Sequence, residues 1–236
     1  LKDALTRSRN LATINLAMDI GLDVVYSKLL KFGFSDKIPA DLSIVLGSFG
    51  ISPLEFSKFF TMFGDYGVVK EPILIKTVKD KDDNVVLNYE SNSTKVAEPE
   101  QVFLTLSMME NVVNRGTGSN ARVGGIAIAG KTGTSNESID AWFVGITPEI
   151  EGIVWFGNDN NKPMKATEGG ARTSAPVFRE FITQYVRAFP NTRRYFKVPS
   201  GVSKGNYNGE SEFYTPTSPF PQRSIHALPK DEEMLF

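Results

Sequence analysis

A chain of 236 residues with 41% hydrophobic, 11% aromatic and 22% charged side chains is long enough for one large domain or two small ones, and too apolar to be disordered. Lys plus Arg (26) and Asp plus Glu (27) nearly cancel, which argues against binding nucleic acid or an anionic membrane surface, and no apolar run reaches the ~18 residues of a membrane span. Cys is absent and the one His, His226, lies in a Pro-rich tail, which excludes a thiol nucleophile, a disulfide, a Cys-ligated metal, a Ser-His-Asp triad and a two-His metal site.

Acid–base chemistry is therefore left to Lys, Asp, Glu and Tyr. The chain opens on Leu1-Lys2-Asp3-Ala4-Leu5, which has no initiator Met and no signal segment and reads as the inside of a helix, so it looks cut from something longer. Apolar residues at helical spacing from Ala4 to Ile20 predict helix up to Gly21, and Val24 to Phe32 predict a second run up to Gly33. Ser52-Pro53-Leu54-Glu55 predicts a capped helix start, with the helix ending between Gly64 and Gly67. Ile73 to Val78 and Val85 to Tyr89 flank the polar turn Lys79 to Asn84, a predicted hairpin, and Pro99 to Asn114 predicts another helix.

The character then changes. Residues 116 to 133 hold six of the 20 Gly, an edge strand is predicted from Ile126 to Thr134, and two further strands over Ala141 to Thr147 and Gly152 to Gly157. A closing helix is predicted from Ser174, its cap, to Phe189. From residue 190 the chain is rich in Pro, Gly, Ser and Asn and reads as extended. The predicted class is α+β, an antiparallel sheet covered by helices, with a domain over 1–189 and a Pro/Gly-rich C-terminal extension over 190–236.

Two incompatible readings meet at Gly124 to Asn136. Gly125, four residues, then Gly130-Lys131-Thr132 satisfies the phosphate-loop pattern, which would imply a nucleotide enzyme. That motif needs a strand before the loop and a helix after the Lys, to aim backbone N–H groups at the phosphates. Here Gly133-Thr134-Ser135-Asn136 is poor helix material, Ile126 to Ala129 resembles a strand, and Ile153-Val154-Trp155-Phe156 runs into Gly157-Asn158 with no acidic residue at its end. In the other reading the strand faces a cleft: Lys131 offers a positive charge, Thr132 and Thr134 present hydroxyls on one side, and Gly133 lets a substrate backbone lie close. A free N–H on such an edge can also donate to an oxyanion. Taken alone, the same residues also fit an ordinary bulged strand.

Upstream, Ser8-Arg9-Asn10 falls where the first helical region could break. On an unbroken helix Ser8 and Asn10 would point about 200° apart, so a shared site requires a break, with Asn10 capping the next helix; capping alone is the plain alternative.

Ser-x-Asn followed far downstream by Lys-Thr-Gly is a combination found in penicillin-binding proteins and serine β-lactamases. The chain resembles the C-terminal part of the transpeptidase domain of class A, bifunctional penicillin-binding proteins of the 1A type. The likeness includes Leu46-Gly47-Ser48, Ile51 to Glu55, Arg115-Gly116-Thr117-Gly118, Gly130 to Ser135, Asp140 to Gly145, Val154 to Asp159, Gly169-Gly170 and Ala175 to Phe178. It covers most of residues 1 to about 189, and the Trp-Phe-Gly stretches and long tail fit the synthase better than a β-lactamase.

The resemblance implies a penicillin-binding protein/serine β-lactamase-like fold with its N-terminal part missing. It implies a serine acyl-enzyme acting on the D-Ala-D-Ala end of peptidoglycan stem peptides, of the serine-type DD-transpeptidase and D-Ala-D-Ala carboxypeptidase class, and acylated by β-lactam antibiotics. The implied roles are proton transfer to the leaving group for Ser8, the substrate amide for Asn10, positive potential for Lys131, and the terminal carboxylate and oxyanion for Thr132 and Thr134 around Gly133. No cofactor and no metal are implied. The implied location is the extracytoplasmic, periplasmic face of the bacterial inner membrane, with the membrane reached only through an anchor absent from this chain, as is the glycosyltransferase domain. One departure is decisive: no Ser of the sequence is followed three positions later by Lys, so the Ser-x-x-Lys nucleophile is not present and would have to come from a missing N-terminal segment or companion chain. The isolated chain is then expected to be inactive. A catalytically silent binding domain is the remaining alternative.

Overall fold

The computed structural model describes residues 1–35 and 37–220; His226 lies outside them. Its N-terminal helical region is α1 (Lys2–Thr6), α2 (Asn10–Ile20) and α3 (Leu22–Phe32), with Gly21 and Gly33 at the predicted stops. The break after α1 has a specific geometry. Ser8 takes a left-handed conformation (φ 53°), its N–H donates to Leu5 O (3.1 Å) and the Arg9 N–H reaches back to Ala4 O (2.9 Å). That pair of bonds is a Schellman closure, with a serine where glycine is usual. Arg9, not Asn10, caps α2, and no side chain caps it; the expectation that Asn10 serves as the cap is corrected, because the Schellman turn spends Arg9 as the hinge and Asn10 is already helical.

Helix α4 (Pro53–Gly64) starts as its sequence predicts, the Ser52 hydroxyl accepting from the Glu55 N–H at 3.2 Å with Pro53 in the first turn. Strand β1 (Val68–Lys70) then pairs antiparallel with β4 (Ser93–Lys95), and between them β2 (Thr77–Lys79) and β3 (Val85–Asn88) form the predicted hairpin, with a register shift at Val78/Lys79. Helix α5 (Pro99–Arg115) buries Val102, Phe103, Leu106, Met109, Val112 and Val113 along one stripe.

The principal sheet has three antiparallel strands in the order β5 (Ala129–Thr134), β6 (Asp140–Ile146), β7 (Glu151–Gly157). Strand β5 is its edge but begins at Ala129, not Ile126. Ile126 and Ile128 are buried in the core outside the ladder, after the turn at Gly124 and Gly125. Helix α6 (Ser174–Ala188) lies on one face, where Phe178, Ile182 and Ala175 join Phe143, Val113 and Ala121 in the core. Gly145 makes this packing possible, since a Cβ there would come within 2.6 Å of Phe178 ring carbons. Ser174 does not cap α6 as predicted; it is the first helical residue, and its hydroxyl donates to Ala141 O at 2.8 Å, tying the helix to the sheet. The other face carries Trp142, whose ring meets Phe56 of α4 edge-on at 5.8 Å and Trp155 at 6.2 Å.

The first unit extends over Leu1–Pro199, past the compositional boundary at Pro190. Arg193 pairs with Glu149 (3.0 Å), Thr192 hydrogen-bonds the same carboxylate, and the Ala127 N–H donates to Arg194 O (2.8 Å), holding this stretch to the sheet end. The second unit, described up to Phe220, is not merely extended. It contains the hairpin β8 (Ser203–Tyr207) and β9 (Glu210–Tyr214) turning at Asn208-Gly209, both with positive φ, and Phe220 packs on Tyr207 and Tyr214.

Candidate active site

The edge strand β5 sets the geometry. Its register on β6 pairs Lys131 with Val144, Thr132 with Phe143, Gly133 with Trp142 and Thr134 with Ala141. Alternation therefore puts Thr132 and Thr134 on the Phe143 face and Lys131 on the opposite one. The Ser135 N–H donates to Asp140 O at 3.0 Å, so the alternating ladder turns the Thr134 N–H away from β6, toward the open edge.

Over that edge comes the turn after α1. Lys131 Nζ donates to Ser8 Oγ at 2.8 Å and to the outward carbonyl of Thr132 at 2.7 Å. Burial pushes the Lys131 ammonium down to about 8, so at neutral pH it is still mostly charged but poorly solvated. Because Ser8 Oγ accepts from Lys131, the serine's own proton is left to donate elsewhere.

The two threonines are also engaged in ways that leave capacity for a ligand. Thr134 Oγ1 accepts from the Gly170 N–H at 3.1 Å, which keeps the threonine proton free. Gly170 is required there, since a Cβ would press on Trp142 O and come within 2.6 Å of Gly133 O. Thr132 Oγ1 lies 2.7 Å from Thr117 Oγ1, a hydroxyl pair in which one proton is used internally and one remains. At the end of the strand, the Trp155 indole N–H donates to Asp140 at 2.8 Å and fixes the β6–β7 ladder beside Thr134.

Thus Ser8 and Lys131 are brought into direct contact, and Thr132, Gly133 and Thr134 follow along the same exposed edge. Asn10 starts α2 with an exposed side chain that bonds none of them. Sequence reasoning assigned no role to Thr117 or Gly170 as partners of the two threonines; Arg115–Gly118 and Gly169–Gly170 were visible as motifs, but a hydroxyl pair 15 residues apart has no periodic signal. The phosphate-loop reading is contradicted: Gly130, Lys131 and Thr132 lie within an extended strand, followed by a three-residue 3₁₀ turn (Asn136–Ser138) and not by a helix. Among the described residues there is no cluster of His, Asp and Glu that could hold a metal, and no helix is long and apolar enough to cross a membrane.

Such an edge, bearing an ammonium–hydroxyl contact, two threonine hydroxyls and an outward N–H, can hold a carboxylate and donate to an oxyanion. Residues 1–183 match the penicillin binding protein transpeptidase domain, and the chain belongs to that family. It is 32% identical over 187 residues to penicillin-binding protein 1B of Haemophilus influenzae (78% of this chain, 24% of that protein) and 30% identical over 213 residues to penicillin-binding protein 1A of Neisseria meningitidis (87% and 26%). The chain thus spans about a quarter of the length of these relatives. The crystal structure of penicillin-binding protein 1A from H. influenzae shares the fold with a TM-score of 0.85 at 20% identity, covering 96% of this chain and 41% of that one. Penicillin-binding protein A from Mycobacterium tuberculosis, solved as an imipenem acyl-enzyme complex, gives 0.64 at 20% identity, over 78% of this chain and 47% of that one.

Proposed function

We propose that this chain is the substrate-binding and proton-transfer half of a peptidoglycan DD-transpeptidase. The observation that carries the reading is the Ser8 Oγ to Lys131 Nζ contact of 2.8 Å at an edge strand whose Thr134 N–H is unpaired within the ladder. The substrate is a stem peptide ending in D-Ala-D-Ala, and a β-lactam antibiotic mimics that end.

In this mechanism a serine oxygen supplied from outside these 236 residues attacks the penultimate D-Ala carbonyl. The tetrahedral oxyanion is held by the Thr134 N–H; its collapse breaks the C–N bond, and the leaving nitrogen takes the Ser8 proton. The proton lost by the attacking hydroxyl passes to the lysine of its own Ser-x-x-Lys segment and from there replaces the one Ser8 has given up, so the proton count closes, while Lys131 supplies positive potential beside that path. The Thr132 and Thr134 hydroxyls hold the terminal carboxylate, with Gly133 leaving room for the substrate backbone and Asn10 reaching the substrate amide. An acyl-enzyme forms and passes its acyl group to an amine, or to water in the carboxypeptidase reaction. None of these steps calls for a cofactor.

In this reading the parent protein works at the extracytoplasmic, periplasmic face of a bacterial inner membrane and carries the glycosyltransferase activity of a bifunctional synthase. Leu1–Pro199 is the transpeptidase part, and the residues from Ser200 on are its extension. The isolated chain lacks Ser-x-x-Lys and is expected to be inactive without that segment or companion chain. Labelling of the full-length protein with a fluorescent penicillin tests the reading. Wild type labels stoichiometrically, and Lys131→Ala labels about 10²- to 10³-fold more slowly at an unchanged melting temperature. Equal labelling rates, or a collapsed fold in the variant, contradict the assignment of Lys131.

A further inference from the structure

Thr117 stands at a junction between the two halves of the site. Its hydroxyl lies 2.7 Å from that of Thr132 on β5, and its backbone N–H donates to Thr6 O (3.2 Å) at the end of α1, two residues before Ser8. Thr6 is buried and held in turn by its own hydroxyl bond to Lys2 O (2.7 Å). Gly116, just before, packs so closely on the α1 terminus that a Cβ would come within 2.8 Å of the Thr6 side chain. The main chain of residues 116 and 117 thus fixes the turn that bears Ser8, while the Thr117 side chain touches the strand that bears Lys131.

We infer that Thr117 is a positioning residue for recognition of the substrate's terminal carboxylate, acting through Thr132; this rests on the transpeptidase reading. The chemistry follows from proton count. A lone Thr132 hydroxyl is a free rotor that can point its single proton anywhere. Paired with Thr117, it accepts one proton and so directs its own outward, or donates inward and leaves the Thr117 proton outward. Either way the pair presents one oriented O–H donor at the β5 edge, beside the Thr134 hydroxyl whose oxygen is already occupied by the Gly170 N–H. Two preset donors match the two oxygens of a carboxylate. A donor that need not be reoriented on binding loses less entropy and forms a stronger charge-assisted bond.

Because the effect acts on a carboxylate, the ligand itself supplies the control. Second-order acylation rates of the full-length protein are measured with benzylpenicillin and with its methyl ester, in wild type, Thr117→Val and Thr117→Ser. Thr117→Val is expected to lower the benzylpenicillin rate about tenfold while changing the ester rate less than about twofold, the weakening of one charge-assisted hydrogen bond whose donor is no longer preset. Thr117→Ser, which keeps the hydroxyl, restores the benzylpenicillin rate. With the peptide substrate the Val effect falls on KM more than on kcat.

Equal losses on acid and ester mean a merely structural role and overturn the inference, as does Thr117→Ser behaving like Thr117→Val. If Thr117→Val and Thr117→Ala both fail to fold while Thr117→Ser folds, the hydroxyl is needed for the fold and the inference also falls. A wild-type protein that neither penicillin acylates refutes the transpeptidase reading itself, and the Thr117 role with it, an outcome distinct from an acylated wild type with an indifferent variant.

Discussion

Ser8 Oγ and Lys131 Nζ lie 2.8 Å apart across 123 residues of sequence, and the serine is held there in a left-handed backbone conformation. For a non-glycine residue that conformation costs about 1 kcal/mol, and here it closes the Schellman turn that ends α1 and aims the hydroxyl at the strand.

Stability and activity should therefore separate at this position. Ser8→Gly relieves the backbone strain and is expected to raise stability by up to about 1 kcal/mol, whereas Ser8→Ala keeps the strain and gains nothing. Both lose the hydroxyl, so both should slow penicillin acylation by about 10²-fold or more. Thermal melts and acylation rates on the same two proteins check this; a Gly variant less stable than the Ala variant contradicts the strain argument.

Lys131 gives a pH signature. With its ammonium pushed down to about 8 by burial, the charged form dominates below that pH and is lost above it. The second-order acylation rate should fall along an alkaline limb centred near 8. In Lys131→Arg, whose guanidinium stays charged, that limb should disappear although the plateau is lower. A limb unmoved in the Arg variant belongs to another group.

A different titration affects the fold. Glu151, at the start of β7, has an Oε1 that is buried without a hydrogen-bond partner among the described residues, and burial, with the nearby Asp65 charge, raises its carboxyl to about 8 from 4.5. The folded state then holds a proton that the unfolded state has released between those values, so stability falls as pH rises from about 4.5 to about 8 and levels off above. Glu151→Gln removes this contribution to the slope and should be about 1–3 kcal/mol more stable than wild type at pH 8.5, with little difference at pH 4.5. Urea midpoints across that range decide it; parallel curves for the two proteins contradict the assignment.

What the sequence revealed follows from which interactions are local. Helix α4 was legible because Ser52, Pro53 and Glu55 state its start within four residues, whereas a break at Ser8 followed only on the premise that Ser8 and Asn10 share a site, and the Schellman turn that makes it has no glycine to signal it. The cap of α2 was misread because Asn10 is a good cap by type, while the preceding Schellman turn decides that Arg9 occupies the position. Strands β1 and β4, three residues each, are too short for a period and find each other across the β2–β3 hairpin. The Asn208-Gly209 turn was a local signal, masked by the Pro- and Gly-rich composition around it. In the site, Lys131, Thr132 and Thr134 stood out as a motif; the Thr117 and Gly170 contacts are purely tertiary.

The central claim is that these residues serve a nucleophile located elsewhere in the protein. Intact-mass and peptide-mapping mass spectrometry of the full-length protein after exposure to benzylpenicillin tests it most directly. The account predicts one penicilloyl group per molecule, on a serine of a Ser-x-x-Lys sequence outside residues 1–236, with its formation slowed in Lys131→Ala. An adduct on Ser8 or on any other serine within these 236 residues, or no adduct at all, would contradict it.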